Sequence, residues 1–240
     1  MFDDISALMQ ATDVAAAINN GLGINADAFQ TNEVTLVAVM VDDSSSIRSA
    51  GNTDHVRDGY NGVLDALLGS KAGQANTIMW HGRMLNGAVI TPFVLLKDAP
   101  RLDGANYNPA GNTPLYDRSV EFFSTVAAKI KEFQDAGVVV KAVALIITDG
   151  ADVGSRRNTP GDVEKIVKSL LRSETAIVHA MGIDDGGTDF RRVFHAMGIP
   201  DDAVMLPGST GKEIRAACQL FSQSAIRVSQ TAGGLGALAT

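Results

Sequence analysis

Basic residues are in short supply in this chain, and the shortage removes a whole class of partners. Lys and Arg number 20 against 27 Asp and Glu, leaving a formal charge of −7 over 240 residues. Without a basic field neither a phosphate backbone nor an anionic lipid surface is attracted, so nucleic acid and membrane are not expected as partners. Cysteine is almost absent: Cys218 stands alone, which excludes an internal disulfide, and its place on the apolar side of a helical pattern marks a buried thiol. No apolar run reaches the roughly 18 residues of a membrane span. The opening Met1-Phe2-Asp3-Asp4 carries acids where a secretory signal needs basic residues, and the expected location is the cytoplasm.

What remains is an ordinary globular composition, 45% hydrophobic and 20% charged, of a length that suits one large domain. Short apolar runs rich in β-branched residues alternate with segments whose apolar positions recur at three and four. That pattern predicts an α/β class, doubly wound, with a mostly parallel central sheet, one antiparallel edge strand and helices on both faces. Val34 to Val41 is apolar almost without interruption, as a central strand covered on both sides should be. Asn86-Gly87 separates two further strands, near Thr77 to Arg83 and Ala88 to Leu96, and marks a hairpin at one edge. Later strands are expected at Val138 to Thr148, Ala176 to Ile183 and around Ala203 to Leu206.

Helical stripes fill the intervals. Val56, Tyr60, Val63, Leu64, Leu67 and Leu68 form one, and Leu115, Phe122, Val126, Ile130 and Phe133 a second, with Thr113 as N-cap and Pro114 as first helical residue. Val163, Ile166, Val167, Leu170 and Leu171 form a third after Asn158-Thr159-Pro160, and Ile214, Ala217, Cys218, Phe221, Ala225 and Val228 the last. Three units follow: an N-terminal helical extension over 1–32, whose stripe of Phe2, Ile5, Leu8 and Met9 is expected to pack on the main domain; the domain itself over 33–230; and a flexible tail of mostly glycine and alanine over 231–240.

The chemistry sits at strand ends, where open α/β sheets gather their ligands. The central strand runs into Asp42-Asp43-Ser44-Ser45-Ser46, and the second long strand ends in Thr148-Asp149-Gly150. Two neighbouring parallel strands bring Asp42 and Asp149 to one edge, and Thr113 can reach it from its loop. Two carboxylates with the hydroxyls of Ser44, Ser46 and Thr113 make an all-oxygen donor set, suited to Mg²⁺ first and Mn²⁺ second, and the absence of nearby His or Cys speaks against zinc.

Asp42-x-Ser44-x-Ser46, then Asn112-Thr113-Pro114-Leu115-Tyr116-Asp117, then Thr148-Asp149-Gly150 resembles the metal-ion-dependent adhesion site of von Willebrand factor type A domains. The resemblance runs in order and spacing from about Glu33 to Val228. It implies that Asp42, Ser44, Ser46, Thr113 and Asp149 hold the metal, and that the ion grips an Asp or Glu of a partner protein. The Gly111 to Asp117 run looks most like stand-alone bacterial members, similar to the TerY-like proteins of tellurium-resistance and stress systems and to those beside MoxR-type ATPases. The sequence departs from the family at Ser45, commonly Gly; at Ile47, commonly Met; and in the added acid Asp43, which bears on which carboxylate faces the ion.

Each motif also has a bland reading: serines after a strand serve turns and caps, and Asp-Gly is a common turn. Asp184-Asp185-Gly186-Gly187-Thr188-Asp189 lacks the spaced ligands of a calcium loop and is expected to be a solvated turn capping a helix. His55, His81, His179 and His195 show no ligand spacing. Two other functions compete. A response-regulator receiver would also open on an acidic pair, but its next strand-end carboxylate should come far sooner than Asp149. A Mg²⁺-dependent hydrolase or phosphotransferase would need a base or nucleophile, and neither a Walker loop, a Gly-x-Ser-x-Gly elbow nor paired histidines is present. The expected protein is a non-enzymatic, metal-dependent interaction module.

Overall fold

Strand β1 (Glu33–Val41) sets the architecture because both of its faces are apolar. In a computed structural model, which describes residues 2–29, 31–71, 73, 77–231 and 235, it lies inside a six-stranded sheet. The other strands are β2 (Thr77–Met84), β3 (Val89–Leu95), β4 (Val139–Thr148), β5 (Ala176–Gly182) and β6 (Val204–Met205), in the spatial order β3-β2-β1-β4-β5-β6. All neighbours pair parallel except β2 and β3, the antiparallel edge hairpin turned by Asn86-Gly87, with Gly87 at φ 107°.

Side chains alternate across the sheet and divide the core in two. Leu36, Ala38 and Met40 of β1, with Ala142, Ala144 and Ile146 of β4, face one layer; Val37, Val39 and Val41, with Val143, Leu145 and Ile147, face the other. The first layer is covered by α2 (Thr12–Leu22), α5 (Leu115–Asp135), α6 (Pro160–Arg172) and α7 (Phe190–Ala196). The second is covered by α4 (Thr53–Gly69) and α8 (Gly211–Gln230), while α1 (Ser6–Met9) and α3 (Ser45–Ser49) are single turns. Helix α6 starts as its sequence predicts, with a Thr159/Asp162 capping box and proline in the first turn; α8 has the same device in Thr210 and Glu213.

Two local expectations need correction. Thr113 is not an N-cap: α5 begins at Leu115 with Pro114 at its cap, and the Thr113 backbone instead forms an antiparallel bridge with Val153. The proline ring removes the N–H and leaves Thr113 extended, free to pair with a passing loop. Leu68 leaves its expected stripe and is 39% exposed, because a helical step of about 100° turns it away from the core that the fully buried Leu67 faces.

Residues 2–29 pack as expected, with Phe2, Ile5, Val14, Ile18 and Ala26 joining the core beneath α5. Two polar ties add to that burial. Lys129 of α5, whose side chain is fully buried, donates to the Ile24 carbonyl and to Glu132, and Glu132 accepts the Ala26 N–H at 2.6 Å. Gly23 ends α2 at φ 63°, ψ −132°, and the next residue donates its N–H to the Phe93 carbonyl of edge strand β3 at 3.0 Å. Of the expected tail, Leu235 is buried and donates its N–H to Glu174, and Thr231 accepts from Lys141; residues 232–234 and 236–240 lie outside the described residues.

A Cβ at Gly23 would stand 2.1 Å from the Phe93 carbonyl oxygen, on a backbone that only glycine adopts freely. Gly23→Ala should therefore cost on the order of 2–4 kcal/mol. Thermal unfolding checks this: a melting temperature equal to that of the parent would mean that the extension is not an integral part of the folded unit.

Candidate metal centre

The sheet order reverses between β1 and β4, whose loops leave toward opposite sides and open a crevice at their carboxyl ends. Register places the acids there. Val41 stands opposite Ile147, so Asp42 falls beside Thr148. The Thr148 hydroxyl donates to Asp42 Oδ2 at 2.6 Å, the Asp149 N–H reaches the same oxygen at 3.3 Å, and the Ser44 N–H donates to Oδ1 at 2.8 Å. Both oxygens of Asp42 are thus engaged by the protein itself.

The other donors form a chain beside it. The Ser44 and Ser46 hydroxyls lie 2.8 Å apart, and Ser46 donates to Asp149 Oδ1 at 2.6 Å. Thr113 comes from the opposite rim, fixed through its backbone: its N–H donates to the Val153 carbonyl at 3.1 Å and its own carbonyl accepts from Val153 at 2.8 Å. The loop before it is laced to the first motif, since the Ser45 N–H and hydroxyl both donate to the Gly111 carbonyl and the Ala110 N–H donates to the Asp43 carbonyl. The structure therefore links Asp42, Ser44, Ser46 and Asp149 directly and carries Thr113 to the same edge. Ser45, where glycine is usual in the family, uses its hydroxyl as a lace between loops.

Asp43 turns the other way and accepts the Asn86 N–H of the hairpin tip at 2.9 Å. One contributor was missed from sequence: Tyr107, buried in the loop between β3 and α5, donates its hydroxyl to the Asp42 carbonyl. No periodicity marks it, because the loop that carries it follows neither a helix nor a strand repeat. The Asp184 to Asp189 turn closes on itself as expected, with Asp185 accepting the Thr188 N–H and hydroxyl and Asp189 capping α7. His81 is stacked between Phe93 and Phe122, and burial pushes its pKa down to about 3, with the Arg83 charge adding to the shift.

Electrostatically the crevice wants a cation. Asp42, Asp43 and Asp149 are at most 2% exposed. Burial, with the charges of Asp42 and Asp185 added, pushes Asp149 up to about 6 against the lowering effect of the Ser46 hydroxyl. Burial and Asp42 push Asp43 up to about 6 as well, although the Asn86 N–H and the Arg118 charge oppose the shift. Among the described residues no group of three or more His, Cys, Asp or Glu side chains is arranged to hold a metal ion, so a cation here must draw on the serine and threonine hydroxyls. A small hard dication fits that all-oxygen set and would relieve the repulsion.

No protein-family model and no curated protein matches this sequence. Solved structures do match in fold. The pilus adhesin SpaC from Lactobacillus rhamnosus GG aligns over 82% of this chain and 31% of its own, with a TM-score of 0.56 at 14% identity. Proximal thread matrix protein 1 from the mussel byssus, solved with a zinc-occupied MIDAS motif, aligns over 81% of this chain and 46% of its own, with a TM-score of 0.52 at 18% identity. The chain thus spans less than half the length of either. At these identities the likeness concerns the fold, and it supports the von Willebrand factor type A fold that the three motifs imply.

Metal-free protein should show the strain of this crevice in its pH dependence. Between about 4 and 6 the folded form holds protons on Asp43 and Asp149 that the unfolded chain has released, so their contribution to stability falls as pH rises through that window. Asp43→Asn keeps an acceptor for the Asn86 N–H and removes one charge. In chelator it should raise the melting temperature at pH 7.5 and change it less at pH 5. Calorimetry at the two pH values checks the sign, and a lower melting temperature for the variant at pH 7.5 would contradict it.

Proposed function

We propose that this domain is a metal-dependent protein-interaction module, with Asp42, Ser44, Ser46, Thr113 and Asp149 holding Mg²⁺ and accepting Mn²⁺ in its place. The observation that carries the reading is the engagement of both Asp42 oxygens by Thr148, Asp149 and Ser44. A carboxylate already bonded to protein donors serves the ion through water or by orienting other ligands. An ion bound mainly by hydroxyls keeps most of its charge. Such an ion attracts an external Asp or Glu, and a partner protein supplying that group completes the shell.

The mussel protein's motif holds zinc. In this chain the donors are oxygens without His or Cys, which favours the harder magnesium and manganese ions. Enzymatic use of the ion has less support: of the neighbouring carboxylates, Asp43 is tied to the hairpin tip and Asp185 to the Thr188 N–H and hydroxyl, and His81 is enclosed by phenylalanines. The Gly111 to Asp117 run supports a cytoplasmic adaptor for a MoxR-type ATPase or a stress or tellurium-resistance component. In this reading residues 33–230 form the module and residues 1–32 brace it.

Thr113→Ala removes one hydroxyl ligand and leaves the backbone bridge to Val153 intact. Its affinity for Mn²⁺ should fall by more than the ~10–100-fold typical of losing an outer-shell partner, with an unchanged circular dichroism spectrum. Partner recovery from cell extract should be lost both in this variant and in wild type treated with EDTA. Equal recovery in all samples, or Mg²⁺-dependent phosphatase turnover abolished by Asp42→Ala, would overturn the binding-module reading.

A further inference from the structure

The loop that follows Asp149 is gripped from the side, by the first turn of α5. Asp117, 5% exposed, points its carboxylate into a ring of N–H groups on that loop. Oδ2 accepts from the Arg156 N–H at 2.9 Å; Oδ1 accepts from the N–H groups of Arg157 at 3.1 Å and Asn158 at 2.8 Å, and from the Asn158 side-chain amide at 3.1 Å. Only an acceptor with no hydrogen of its own satisfies four donors at once. Burial alone would raise its pKa, but these bonds outweigh burial and hold the group below the usual carboxylate range.

The grip is reciprocal. The Asp117 N–H donates to the Ser155 hydroxyl at 3.0 Å, Ser155 donates to Asp152, and Asp152 accepts the Tyr116 N–H at 3.2 Å. The Thr113–Val153 bridge joins the same two segments three residues before Tyr116 and one after Asp152. Thr113, Tyr116 and Asp117 are therefore zipped to residues 152, 153 and 155–158, so Thr113 and the loop that leaves Asp149 are held to each other. A small hard cation tolerates ligand distances only within about 0.2 Å, so whatever fixes those two segments also fixes the fit of the ion.

We propose that Asp117 is a positioning residue for the cation: by collecting the N–H groups of residues 156–158 it locks the post-Asp149 loop onto α5 and sets the placement of Thr113 relative to Asp149. This inference rests on the metal reading above. The adhesion-site resemblance includes Asp117 in its second segment but gives it no role toward the ion. A merely structural Asp117 would lower stability and leave the affinity of the folded protein alone; a positioning Asp117 changes the ion's environment.

The test is Mn²⁺ titration of the full chain, followed by electron paramagnetic resonance of the bound ion. Asp117→Asn, which sets an amide NH₂ against backbone N–H groups, should weaken Mn²⁺ binding ~10–100-fold and broaden the bound-ion spectrum. Ser155→Ala, a milder cut in the same zip, should move both readouts the same way by less, and keeps the question open to measurement if the first variant does not fold. Ile166→Val in α6 lowers stability away from the zip and should leave affinity and spectrum unchanged. Wild type binding Mn²⁺ with Asp117→Asn or Ser155→Ala binding it equally well would overturn the positioning role alone. Failure of wild type to bind Mn²⁺ would overturn the metal reading and this inference with it.

Discussion

The carboxylate of Asp42 is the constraint on which the site depends. It is the first residue past the central strand, and its two oxygens take hydrogen bonds from the neighbouring strand end and from the loop it begins. Those bonds close the carboxyl end of the β1–β4 crevice and present the Ser44, Ser46 and Asp149 oxygens to one side. Were Asp42 free to chelate with both oxygens, the ion would be better neutralised by its own cradle and less able to hold a foreign acid. In the proposed metal reading, the same bonds that tidy the strand ends leave the ion's charge available.

Much of this could be read from residues alone, for identifiable reasons. Strands β1 and β4 are buried on both faces, so their apolar runs have no polar gaps and their ends are sharp; the acids that follow are thereby placed at the sheet edge. Asn86-Gly87 declared its hairpin because few other dipeptides adopt the required backbone. The helix stripes of α5, α6 and α8 met the core nearly residue for residue.

What escaped notice shares a different physics. Local preference makes Thr113 a cap, whereas a tertiary bridge to Val153 decides its conformation. Tyr107, the Asp117 grip and the Ser45 lace depend on partners 36 or more residues away, and no periodicity encodes such pairings. The buried Lys129 and Lys141 look in sequence like solvent-facing charges. Only the fold supplies the carbonyls of Ile24 and Thr231 that make their burial tolerable.

The sheet's two margins restrict how another protein can approach. At one side β6 is two residues long, and at the other Ile24 already occupies the Phe93 carbonyl of β3. One margin is too short for strand addition, and on the other Pro92 has no N–H and the Phe93 carbonyl is taken, which shortens the row of open groups along β3. Under the proposed function, this leaves recognition to side-chain chemistry at the carboxyl-terminal end of the sheet rather than to backbone pairing at its margins.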